Sequence, residues 1–403
     1  MVCEKNEGTV HDFERDGIEL VVDGDWLKAN GTTLGADNGV GAAAGLAVME
    51  SQDVAHGPLE FVFTINEENG LTGASQFRPG LLRSKYLLNL DNEEENTLCI
   101  GCAGGVNSVG KRKISRVAAP AGDAYRIKIS GLQGGHSGVD IHRGRGNAVR
   151  ILGRLLTALL DKFPVGIAEM NGGSKRNAIP REAFAVVVVD SAKGGELKSI
   201  VAAAQEAGRA ALGAFDPGLT ISVESTTKPD KVIAPEDAAV VVKLLITQHH
   251  GVLAMSPAIA GLVQTSTNLA IIETRPDEVE IATSQRSSVE TSKVDACRAV
   301  TTLFQFAGFN VEYSGEYPGW KPEPGSDIVR AAREVHQQAL GKDPELIAMH
   351  AGLECGVLGE KHPGMQMISF GPHIVDVHSP SEKIKISSVE PFYRLLTGVL
   401  EKI

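Results

Sequence analysis

LEFVFTINEENG, residues 59–70, is an apolar run that ends in two adjacent carboxylates and a glycine. Residues 59–65 read as a short buried strand of the kind found inside parallel sheets. In an open α/β sheet, ligands bind outside the carboxyl ends of such strands. Successive side chains on an extended chain point to opposite sides, so Glu67 and Glu68 can take different roles, one on a metal and the other on a proton. A lone Glu-Glu pair is more often a solvated acidic turn, so the rest of the chain has to decide between the two.

The 403 residues leave room for two domains at about 150 residues each. A hydrophobic content of 42% with 22% charged residues describes an ordinary globular protein. The net charge of −11 argues against a nucleic-acid partner, because phosphate binding needs a basic surface. Five cysteines (Cys3, Cys99, Cys102, Cys297, Cys355) without a secretory signal favour a reducing, cytoplasmic setting. Cys99 and Cys102 make a C-x-x-C, but no second pair completes a four-thiolate site. No apolar run of about 18 residues exists, so no membrane span is expected.

Up to residue 120 the chain alternates strands and helices. GTTLGADNGVG (31–41) carries Asp37 and fits neither G-x-G-x-x-G nor a P-loop. A helix is expected over 41–50 and a strand over 86–90, the latter ending in the acids of 91–95. Pro120 to Gly122 marks a boundary. Beyond it, 125–130 alternates like a half-exposed strand, GLQGGHSG (131–138) turns around His136, and further strands (183–189, 219–224, 269–273, 278–283) mix with helices (147–162, 196–212, 236–249, 293–308). This middle part reads as an α/β sandwich with a mostly antiparallel sheet. YPGWKPEPG (317–325) is the second boundary, because its prolines suit neither helix nor central strand. A helix (327–340), the loop HAGLECG (350–356), a strand (367–370) and GPHIVDVHSP (371–380) then resume the first style. The fold class is α/β: a catalytic domain with a mixed central sheet and flanking helices (1–120 and 317–403), interrupted by an α/β-sandwich domain (121–316).

Asp37, Glu67, Glu68, Asp91 and His378 each sit on a loop at or beside the end of an expected buried element. Carboxylates with imidazole suit zinc, manganese or cobalt, whereas an all-oxygen set suits calcium or magnesium. The general base of such a site must be a neighbouring carboxylate not spent on the metal, and Glu67 beside Glu68 supplies that arrangement.

GTTLGADNGVG, TINEENG, LNLDNEEE, GCAGG, GLQGGHSG, NGGSKRNAIPREAF, YPGW, HAGLECG and GPHIVDVHSP together resemble the aminoacyl-histidine dipeptidases, a branch of the dinuclear-zinc exopeptidases. The resemblance implies a zinc domain interrupted by a lid that also forms a homodimer. It implies a small dipeptide substrate, of Xaa-His type, and two zinc ions per subunit, with manganese or cobalt as substitutes. Asp37 then resembles the bridging ligand, Glu68 and His378 the ligands of one zinc, Asp91 a ligand of the other, and Glu67 the base. His136 resembles the lid histidine that steadies the tetrahedral intermediate, reaching into the partner subunit's site. Asn268 and Arg286 resemble binders of the substrate carboxylate, for which a bidentate arginine is suited. Glu354 resembles part of the loop cradling the substrate's C-terminal end. In this family a Gly-His-x-Asp motif directly precedes the Met-Val that is Met1-Val2 here, so the second zinc site is expected to be incomplete and the short chain poorly folded. An aminoacylase or deacetylase of the same clan, and a non-catalytic homologue, are the alternatives. Hydrolysis of β-alanyl-histidine against an N-acetyl amino acid separates the first, and metal analysis the second.

Overall fold

Every residue of the strand Thr97–Cys102 is buried, as in a strand covered on both faces. It stands in a four-stranded sheet in the order 345–349, 97–102, 366–369, 86–89. Glu345–Met349 runs parallel to it, Gln366–Ser369 runs antiparallel to it, and Tyr86–Asn89 runs parallel to Gln366–Ser369. The sheet is therefore mixed. Helix Asp327–Leu340 buries Ile328, Val329, Ala332 and Val335 at helical spacing. It stops at Gly341, whose φ of +70° makes the left-handed turn that a side chain disfavours. Phe392, Leu395, Leu396 and Val399 of helix Ile386–Lys402 join it against Leu98, Ile100, Ile368 and Phe370. A second sheet of four short antiparallel strands orders 20–23, 26–29, 383–385, 374–375. In this computed structural model, which describes residues 1–68 and 70–403, these elements form one compact unit: Met1–Ala103, Pro257–Leu262 and Pro318–Ile403.

Residues 59–65 are not the buried strand that their composition suggests. They join no sheet, and Phe61, Phe63 and Ile65 are 38%, 55% and 75% exposed. Apolar side chains favour a strand, but its backbone groups need a neighbouring ladder, and none of the described strands provides one here. Asn69 of the same stretch lies outside the described residues. The helix expected over 41–50 lies within Ala36–Glu50, but Asp37 and Asn38 have non-helical backbone angles, so Asp37 stands at a kink ahead of the regular helix. The C-x-x-C lies in the buried strand with both thiols fully covered. Burial pushes Cys99 up to about 11 and Cys102 to about 12, which leaves both protonated and unreactive.

The other compact unit is Gly104–Ser256 with Val263–Tyr317. Its nine-stranded sheet runs 220–225, 123–130, 183–189, 166–172, 263–274, 278–287, 104–113, 310–317, with 251–255 paired to 263–274. All these pairings are antiparallel. Helices Ala148–Leu160, Gly194–Leu212, Pro235–Thr247 and Glu290–Phe306 accompany the sheet, and one core joins them to it through Leu152, Leu156, Val187, Leu197, Leu245 and Phe304. The first division falls at Ala103, not at Pro120. Gly104–Lys113 pairs residue for residue with Glu278–Ser287, and a ten-residue ladder overrides glycines and lysines that disfavour strands. Pro120 lies inside the second unit, between strands Arg116–Ala118 and Asp123–Ser130.

Candidate active site

Asp37 stands at a non-helical kink just before the regular helix and follows Gly35, whose φ is +75°. The buried carboxylate of Glu382 fixes that stretch by accepting the backbone N–H groups of Leu34, Gly35 and Asp37 at 2.8, 2.9 and 3.1 Å. Glu67 and Glu68 lie in a turn closed by Leu71 N–H to the Glu67 carbonyl (2.8 Å) and Gly73 N–H to the Ile65 carbonyl (3.0 Å). Gly73 is required there, since a Cβ would stand 2.5 Å from the Ile65 carbonyl oxygen. The two carboxylates thus keep a defined place although no strand precedes them. His378, with φ +61°, follows strand Ile374–Val375.

These loops bring Asp37, Glu68 and His378 together. His378 Nε2 lies 3.0 Å from Asp37 Oδ2 and 3.0 Å from Glu68 Oε2, and one donor atom of each residue falls within 4.8 Å of the others. An imidazole with two carboxylates is a donor set for zinc, manganese or cobalt, and the spacing fits one ion. Asp91, just past strand Tyr86–Asn89, is hydrogen-bonded to Asp37. Two carboxyl groups can share such a bond only while one holds a proton. Burial, and then Asp37, push Asp91 far above the usual carboxylate range.

Glu67 stands apart from the three-residue set. Burial raises its carboxyl to about 7, helped by the charges of Glu68, Glu354 and Asp37 and opposed by His378. Glu354, at the start of helix Glu354–Lys361, accepts a hydrogen bond from Thr64 Oγ1 at 2.8 Å. Its Oε1 is buried with no partner among the described residues. Asp37, Glu67, Glu68, Asp91 and Glu354 all line one cavity of about 510 Å³.

His136, Asn268 and Arg286 belong to the other unit. His136 pairs with Ala178 between strands Gly135–His136 and Ala178–Ile179, and Asn268 Nδ2 donates to the Ala178 carbonyl at 2.8 Å. His136 Nδ1 accepts the N–H groups of Gly138 and Val139 at 3.3 and 3.1 Å. An accepting Nδ1 places the ring proton on Nε2. Burial, with the charge of Arg286, lowers this histidine to about 4, so it is neutral at pH 7. On the sheet, Ser266 faces Arg286 and Asn268 lies two residues along the same strand, so Asn268 and Arg286 share a face. Asn268 Oδ1 and Arg286 Nε are both buried without a partner among the described residues.

Residues 4–402 match the Peptidase family M20/M25/M40. The chain belongs to that family. It is 39% identical to the cytosol non-specific dipeptidase of Escherichia coli (strain K12), over all of this chain and 83% of that protein. The crystal structure of an aminoacylhistidine dipeptidase from Vibrio alginolyticus superposes with a TM-score of 0.94 at 40% identity, covering all of this chain and 82% of the other. The aminopeptidase PepT from Bacillus cereus, at 16% identity and a TM-score of 0.52, covering 96% of this chain and 76% of that one, shares the fold.

Two acids of the peptidase's centre escaped the sequence reading. Glu93, two residues beyond Asp91, is raised by burial and then by Asp37. The acid run 91–95 signalled a site but not which of its members come close to Asp37. Glu382 lies 345 residues from Asp37, and nothing in its local sequence marks it. Only the tertiary fold reveals it as the clamp on that loop.

Proposed function

We propose that this peptidase is a metal-dependent dipeptidase cleaving small dipeptides with free ends, Xaa-His among them, with zinc as its metal and manganese or cobalt as substitutes. The observation that carries the reading is Glu67, a carboxyl raised to about 7, beside a cluster of Asp37, Glu68 and His378 that can hold a cation. A base with that pKa accepts a proton near neutral pH and can release it again. Asp37, Glu68 and His378, with Asp91 close to Asp37, would hold the divalent metal, which when bound would supply Lewis-acid polarisation of the peptide carbonyl and acidify water.

Glu67 takes the proton of the attacking water and returns it to the departing amine nitrogen. His136 offers a neutral Nε2–H to the oxyanion that develops on the carbonyl oxygen. Arg286 and Asn268 bind the substrate carboxylate. Glu354, a buried carboxyl whose Oε1 has no partner among the described residues, suits the substrate's free ammonium group better than its carboxylate. That charge choice departs from the C-terminal role its loop resembles, and it disfavours an N-acylated substrate. The names of the two relatives that match over the whole chain support dipeptides as substrates.

A homodimer formed through the second unit is supported by strand Gly251–Met255, which exposes Val252, Leu253 and Met255 and pairs on one side only among the described strands. A cytoplasmic location is supported by the Escherichia coli relative's name. Among the described residues, no helix is long and apolar enough to cross a membrane. The test is hydrolysis of β-alanyl-histidine and of N-acetyl-histidine before chelation, after it, and after re-addition of zinc. The reading expects zinc-restored cleavage of the first and little of the second. Equal cleavage of both would remove the role given to Glu354, and cleavage untouched by chelation would remove the metal.

A further inference from the structure

GCAGG (101–105) and YPGW (317–320) have so far no part in the chemistry. Both reach the second unit at one place. Arg286 lies opposite Gly105 on one ladder, and Gly105 lies opposite Tyr317 on the next. The three residues therefore form a row on one face of the sheet, with a shift of register between Ser314 and Tyr317 that brings the tyrosine into line. Gly105 has no side chain, so the Tyr317 ring lies across it. A Cβ at that position would stand 2.6 Å from both the ring carbon and the hydroxyl of Tyr317. Having crossed the middle strand, the Tyr317 hydroxyl accepts a hydrogen bond from Arg286 Nη1 at 2.7 Å. The backbone of Tyr317 is held in turn by Lys293, a 2% exposed lysine whose Nζ donates to the Tyr317 carbonyl at 3.1 Å. Glu290 and Glu316 flank that ammonium at 3.1 and 3.4 Å.

The consequence falls on the guanidinium. Its Nη1 is engaged by Tyr317, while its buried Nε–H has no partner among the described residues. The bond at Nη1 restrains the guanidinium, and the unpartnered Nε–H singles out the edge carrying Nε and Nη2 for a ligand. That edge presents two parallel N–H groups to the two oxygens of a carboxylate. We propose that Tyr317 is a positioning residue that selects this edge of Arg286, and that Gly105 is the gap through which it does so. The inference rests on the assignment of Arg286 to the substrate carboxylate.

The test compares β-alanyl-histidine with β-alanyl-histidinamide, which lacks that carboxylate, on the zinc-loaded full chain. Tyr317→Phe keeps the ring and removes only the hydroxyl. It is expected to raise KM for the acid about tenfold, the size of one lost charged hydrogen bond, to leave kcat near the parent value, and to leave the amide unaffected. Gly105→Ala, which pushes the ring aside, is expected to give the same selective loss. In an Arg286→Ala background, Tyr317→Phe is expected to add nothing. If Arg286→Ala separates acid from amide while Tyr317→Phe matches the parent or weakens both substrates alike, the positioning role is wrong and the carboxylate assignment stands. If Arg286→Ala weakens both substrates equally, the assignment itself is wrong and the inference goes with it.

Discussion

His378 and His136 titrate in opposite directions, because each unit packs different charges around its imidazole. Burial works against a charged His378, but the charge of Glu68 and the hydrogen bond and charge of Asp37 outweigh it and raise its pKa. His136 has burial and the cation of Arg286 acting together, and falls to about 4. The surroundings repeat the contrast. Around His378, the acids Glu67, Asp91 and Glu93 are all pushed up, first by burial and then by a neighbouring carboxylate, Glu68 for Glu67 and Asp37 for the other two. Around His136, the buried groups without partners among the described residues include the Asn268 amide oxygen, the Arg286 Nε–H and the Ser137 hydroxyl. Carboxylates crowded beyond what protons can neutralise make a site for cations. A buried guanidinium with a free N–H, beside a neutral donor, makes a site for anions. Under the proposed function each unit supplies one half of the chemistry, base and metal ligands in one, oxyanion and carboxylate partners in the other.

The sharpest way to break that contrast is at the base. Glu67→Gln should lower kcat by about 10³-fold, within the range for a lost general base, while zinc content stays at the parent level. Loss of zinc together with activity would mean that Glu67 and Glu68 have exchanged roles. Next in size is His136→Ala, expected to cost about 10²-fold in kcat for one missing oxyanion donor. Mixing it with Glu67→Gln subunits should restore part of the activity if the histidine serves the partner's site. Absence of rescue, with subunit exchange shown separately, would confine each histidine to its own chain.

Glu382→Gln probes the loop rather than a ligand. An amide keeps one acceptor but loses the charge that gathers three backbone N–H groups. Zinc affinity should fall about tenfold, as for other groups that orient metal ligands, with little change in melting temperature. An unchanged affinity would show that Asp37 is held without it.

The smallest effect is the pH dependence of stability, and its sign differs between the units. His136 and His250, both lowered to about 4 from 6.5, stay neutral in the folded state while the unfolded chain takes up protons below 6.5. Stability of the second unit should therefore fall as pH drops from 6.5 toward 4. His378 is raised above 6.5, so in metal-free protein its contribution is fully present below 6.5 and fades as pH rises through the higher folded value. Hydrogen exchange followed separately in the two units from pH 8 to 5 would read the two slopes, and slopes of the same sign would overturn the contrast.

Several features of this protein were open to the sequence alone. Acids and a histidine at the ends of apolar runs, and an alternating middle segment, are local patterns, and local spacing carries them. Alternation on a strand predicts different places for Glu67 and Glu68, whereas in the structure a turn holds the two side chains. Other features needed the fold. Residues 59–65 have a strand's composition but no neighbouring ladder, and whether a ladder exists depends on distant chain. Gly104–Lys113 has a poor strand composition but pairs with Glu278–Ser287 along its whole length. Glu382 reaches Asp37 across 345 residues, and Tyr317 reaches Arg286 only because Gly105 stands between them. The sequence determined which groups could do the chemistry, because side-chain acidity and metal preference are properties of residue types. The tertiary structure decided which backbone holds each group and which edge of it stays free, because those depend on pairings between residues far apart in the chain.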